Sequence, residues 1–180
     1  MRKVIFPLSV GLVLPGLGYA HEAGHGTGFM AGLSHPVFGL DHFLAMIGVG
    51  ILGVQTGGRA RWIAPSVFLC AMLGGGILGM RDVQLPYVEL GIASSVLALG
   101  VAVAVNKKPS LILAVLVGFF AIFHGHAHGA EMPDLAKPAL YACGFLSGAA
   151  GIHLAGFLIG VSAGALIQGA QLLRYVGTAV

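Results

Sequence analysis

Charge is scarce in this chain. Six acidic and nine basic residues among 180 amount to 8%, where a soluble domain carries about 25%. That shortage excludes a water-soluble globular fold. The basic residues form no cluster able to track phosphates, so the net charge of +3 gives no reason to expect nucleic acid as a partner. Cysteine is limited to Cys70 and Cys143, isolated inside apolar runs, which excludes a disulfide framework and a thiolate metal site. Hydrophobic residues make up 57% of the chain, and they fall in continuous runs instead of alternating. In lipid only helices or closed barrels satisfy the backbone, and continuous runs select helices. The expected fold is therefore all-α, a polytopic membrane helix bundle. Eight histidines in so apolar a chain call for an explanation.

Residues 1–20 read as a cleavable signal peptide: Arg2 and Lys3 precede an apolar stretch that ends at Gly18-Tyr19-Ala20, a small-x-small cleavage site. Cleavage after Ala20 leaves residues 21–34 as a periplasmic leader carrying His21 and His25, ahead of a transmembrane domain over 35–180. Five full spans are expected near 36–55, 62–80, 86–105, 110–130 and 138–166, followed by a sixth, incomplete one from Gln168. With the mature N-terminus outside, Arg59, Arg61, Lys107, Lys108 and Arg174 fall inside and only Arg81 and Lys137 outside, as the positive-inside rule requires. Gly144, Gly148, Gly156, Gly160 and Gly164 recur at spacings that let helices approach closely.

Two clusters carry the chemistry. The first span opens with His35-Pro36-Val37-Phe38-Gly39-Leu40-Asp41-His42. On one continuous helix His35 and His42 share a face, and Asp41 lies roughly 8 to 9 Å inside the outer end. The fourth span ends with His124-Gly125-His126-Ala127-His128-Gly129-Ala130-Glu131, where His124, His128 and Glu131 form one stripe and His126 points away. An ionisable group inside a membrane costs roughly 2.5 to 3.5 kcal/mol at mid-depth and marks a functional hypothesis. Imidazole and carboxylate from facing helices suit nickel, cobalt, zinc or copper(II). Glu89, one turn into the third span, is a further ligand or an interfacial carboxylate. His153, deep in the fifth, relays an ion or bonds a backbone carbonyl.

These two strings resemble the signature segments of the HupE/UreJ family of bacterial nickel permeases, and the resemblance extends over nearly the whole mature chain. It implies a secondary permease of the bacterial inner membrane, not an enzyme, importing Ni²⁺ or Co²⁺ for hydrogenase or urease maturation. It also implies His35, Asp41, His42, Glu89, His128 and Glu131 as metal-handling residues, with His124 added from the same stripe and Phe68 as the aromatic of the second span. Nickel or cobalt then enters as transported substrate, with no resident cofactor, the lipid bilayer as surroundings, and a homo-oligomer compatible with the reading. Two other classes would use the same ligands. An intramembrane metalloenzyme would need a general base such as Glu131 or Glu89, and the chain has no HExxH motif. A membrane metal sensor would bind without transporting.

Overall fold

The structure, a computed structural model, describes residues 28–105 and 111–177, with side chains as far as Ala165 in the last helix. The expected signal peptide, His21, His25, Lys107 and Lys108 lie outside the described residues. Those described form six α-helices and no strand: α1 Phe29–Phe38, α2 Leu40–Thr56, α3 Ile63–Gly79, α4 Val88–Val105, α5 Leu111–Ala130 and α6 Pro138–Gly177. A short 3-10 helix, Gly58–Trp62, joins α2 to α3. Among the described residues four helices are long and apolar enough to cross a membrane, or five if α1 and α2 together make one span.

The first span departs from expectation. It is two helices bent by 87° at Gly39, whose extended backbone (φ −84°, ψ 108°) interrupts the helical ladder. Pro36 sits in the last turns of α1 instead of opening the span. Its missing N–H and the glycine three residues later together account for the break. His35 and His42 therefore share no helix face, and Asp41 lies in the first turn of α2 instead of well inside a longer helix. Residues 29–34, read above as leader, are the first turns of α1. At the other end of the chain α6 continues to Gly177 without a turn at Gln168. No proline or polar turn sequence intervenes there, so the backbone hydrogen bonds simply continue.

Glycine sets the packing. In α3 and α5, Gly75 lies against the backbone at Ile122 and His126, and Gly125 against Met72. In α6, Gly144 lies against Phe29 and Leu33 of α1, and Gly156 against Ile47 of α2. A Cβ at any of these positions would collide with backbone, so the helices meet at main-chain contact, the arrangement small residues permit in lipid. The core between them holds Met46 and Leu52 of α2, Phe68 and Met72 of α3, and Tyr141 and Phe145 of α6. Large apolar side chains on the outside, among them Leu97, Ile112, Val115 and Leu158, face outward, as a lipid-facing surface requires.

The α2–α3 turn carries Arg59 and Arg61, with Trp62 stacked on Phe157 at 5.5 Å. Gly57 and Gly58 reverse the chain there at φ 69° and 52°, a region other residues rarely adopt. Arginine and an aromatic at one end of a bundle suit a membrane interface. The histidine clusters lie at the opposite ends of α2 and α5.

A candidate metal-handling histidine cluster

The break at Gly39 brings the two sequence clusters together. His35, near the end of α1, places its ring 4.8 Å from that of His128 on α5. His42, in the first turn of α2, lies 4.7 Å from the rings of both His124 and His128. Four imidazoles from three helices thus form one contiguous group.

Each outer histidine has a carboxylate partner. His42 Nδ1 is 2.9 Å from Asp41 Oδ1, and the His42 backbone N–H donates to the same oxygen at 2.8 Å. His35 Nε2 is 2.9 Å from Glu131 Oε2. An ionised carboxylate only accepts, so the proton of His42 is on Nδ1 and the lone pair on Nε2. That Nε2 is buried and has no partner among the described residues. Glu131 lies just beyond α5, where the His35 imidazole hydrogen-bonded to it holds its carboxyl below the ordinary value in spite of partial burial.

His124 is fixed from a third side. The Ser95 hydroxyl of α4 donates to the carbonyl of Ile92 at 2.6 Å, and Ser95 Oγ is 2.7 Å from His124 Nε2. The hydroxyl has one proton, already committed, so Nε2–H donates to Ser95 and the lone pair falls on Nδ1. That nitrogen is also buried without a partner among the described residues, as are both ring nitrogens of His128. Leaving such an atom unmade costs about 1–3 kcal/mol.

Exposure falls steadily inward. The side chains are 60% exposed for Glu131, 43% for Asp41, 28% for His35 and 13% for His42. His124 and His128 are fully buried. Charged carboxylates thus stand at the mouth and neutral donors behind them. Among the described residues no three His, Cys, Asp or Glu side chains are arranged to hold a metal ion as they stand. The rings meet edge to face, and two of the imidazole nitrogens are occupied by carboxylates. Capture would require the rings to turn and the His35–Glu131 pair to open, while the Asp41–His42 pair leaves His42 Nε2 available.

Glu89 is not brought to this group. It is exposed in the first turn of α4 and makes no hydrogen bond or ion pair among the described residues. His126 does point away, with Nε2 2.7 Å from the carbonyl of Val83, and lines a cavity of about 440 Å³ with Gln84, Leu85 and Pro86. Three participants went unnoticed in sequence: Ser95, Tyr141 and Phe145. The Phe145 ring stacks on His128 at 5.5 Å, and Tyr141 meets His35 edge-on at 6.2 Å. The i, i+4 spacing of Tyr141 and Phe145 at the head of α6 was the available signal. Phe68 lies 5.5 Å from His124.

The chain matches the HupE / UreJ protein family over residues 9–180. It is 45% identical over 146 residues to the protein HupE of Rhizobium leguminosarum bv. viciae, covering 81% of this chain and 76% of that protein. No solved structure matches it.

Proposed function

This chain belongs to the HupE / UreJ family, a family of membrane metal transporters, and from that premise we propose that it is a secondary permease importing Ni²⁺, with Co²⁺ as a second cargo of similar chemistry. It works in the bacterial inner membrane with its mature N-terminus in the periplasm, and it serves metalloenzyme maturation such as that of hydrogenase or urease. The observation that carries this reading is the inward gradient of the histidine cluster. A hydrated dication meets Glu131 and Asp41 first, where charge compensation offsets the loss of water. It then meets imidazole lone pairs on His42, His124 and His128, which have no partner among the described residues.

In this reading His35, Asp41, His42, His128 and Glu131 form the core of the site, and His124 assists from beneath. Glu89 acts at the approach to the bundle. Nickel is the cargo consistent with an N/O donor set of borderline hardness, although the Irving–Williams order means that geometry and supply complete the choice of metal. A sensor would bind metal without net movement, and a metalloenzyme would turn over a substrate without accumulating metal. Uptake of radioactive nickel into proteoliposomes containing the purified protein therefore separates the three. Saturable accumulation above protein-free vesicles is expected. Tight nickel binding without accumulation would reject the permease.

A further inference from the structure

Most buried polar side chains described above already have a task. Ser95, His124 and His128 belong to the outer cluster, and His126 holds the carbonyl of Val83. His153 of α6 has none. It is only 4% exposed, and neither Nδ1 nor Nε2 has a hydrogen-bond partner among the described residues. A structural histidine at this depth would bond a backbone carbonyl or a side chain on a neighbouring helix, and this one bonds neither.

Its surroundings connect it to the cluster. The Phe68 ring of α3 meets His153 edge to face at 5.1 Å, and the same ring lies 5.5 Å from His124. Phe68 itself is fully buried. Along α6, His153 lies eight residues beyond Phe145, the residue stacked on His128, which is about 12 Å further toward the Trp62 end. One aromatic ring therefore stands between two imidazoles from different helices. The outer imidazole is reached from the carboxylates, and the inner one lies on the way to the opposite end of the bundle.

We propose that His153 is a second station for the transported metal ion, taking the dication from His124 as the Phe68 ring turns aside and passing it toward the inner end. The station rests on the permease reading. An imidazole can do this because its neutral form offers one nitrogen lone pair, and no donor among the described residues competes for it. A cation passing the face of an aromatic ring is also attracted by the ring quadrupole, so Phe68 separates the two stations without repelling the ion.

A station beyond the first binding site governs passage and not capture. In proteoliposomes, His153→Gln should lower the maximal rate of radioactive nickel uptake at least tenfold. Half-saturating nickel should stay within about twofold of the parent protein, as should equilibrium nickel binding in detergent. His153→Cys, which keeps a donor for the metal, should recover a substantial part of the rate. Uptake by His153→Gln within twofold of the parent, per inserted protein, overturns the station, as do equal rates in the Gln and Cys variants. Should His153→Gln insert poorly, His153→Cys is compared with His153→Ser, where retained uptake in Cys alone supports the station and equal rates overturn it. Failure of the parent protein to take up nickel rejects the permease itself and with it the station. A transporting parent with an indifferent His153 rejects only the station.

Discussion

His42 has its tautomer set by its neighbour. Asp41 accepts the Nδ1 proton and leaves Nε2 as the buried lone pair, the arrangement by which a carboxylate orients a metal-binding imidazole and raises its basicity. Asp41→Asn presents a neutral amide in place of that carboxylate, and it removes a negative charge at the mouth. Nickel uptake per inserted protein should fall by about 10- to 100-fold. A purely structural hydrogen bond between helices is worth only about 0.6 kcal/mol on average, so near-normal uptake in this variant would remove Asp41 from the site. Ser95→Ala tests the second lone pair. It leaves the Nε2–H of buried His124 unpaired, which costs about 1–3 kcal/mol of stability, and frees the ring to change tautomer. Nickel affinity measured by calorimetry in detergent should weaken about tenfold, and unchanged affinity would show that His124 does not contribute its Nδ1. The ionisable members of the cluster were legible in the sequence because each is costly in an apolar run. Ser95, Tyr141 and Phe145 were not, since serine and aromatic residues are ordinary in membrane helices and only the fold aims them at the histidines.

The helices themselves were largely legible and the break between the first two was not. Continuous apolar runs locate α3, α4 and α5 closely, because lipid leaves the backbone no alternative to helical hydrogen bonds. Pro36 and Gly39 suit either a helix start or a bend, and the contacts of Gly32 and Gly144 that hold α1 against α6 cannot be read from spacing alone. Gly39 has a negative φ that any residue can adopt, so its importance lies in space. A Cβ there would stand 3.1 Å from His42 Nδ1 and 3.3 Å from Asp41 Oδ1. Gly39→Ala should therefore insert normally yet press on the Asp41–His42 pair, lowering uptake several-fold while leaving the melting temperature in detergent nearly unchanged. Gly125→Leu should behave oppositely. Its Cβ would strike the Met72 backbone, forcing α3 and α5 apart, so the melting temperature and membrane abundance should both fall. If Gly39→Ala instead destabilised the protein as much as Gly125→Leu, the glycine would be serving the bend and not the pair.

For the whole molecule, direction of transport depends on which membrane face holds the histidine cluster. Two features at opposite ends of the bundle support the proposed choice. The short α2–α3 turn carries Arg59 and Arg61 beside Trp62, and α4 ends on the same side, where Gln55 donates to the Val103 carbonyl, with Lys107 and Lys108 next in the sequence. Short basic connections remain in the cytoplasm. The other end presents Asp41, Glu131 and Asp134, with Arg81 and Lys137 as its basic residues. On the proposed orientation the acidic mouth faces outward, where a dication would be collected. The test uses single cysteines in a protein whose Cys70 and Cys143, both exposed on the outer surface of apolar helices, have been replaced by alanine. A cysteine at Asp134 in intact cells should react with a membrane-impermeant maleimide, and one at Lys107 should react only after permeabilisation. Labelling of Lys107 in intact cells would invert the bundle. The exposure gradient from Glu131 to His128 would then describe release into the cytoplasm instead of capture from outside, and the station at His153 would precede the cluster along the ion's route.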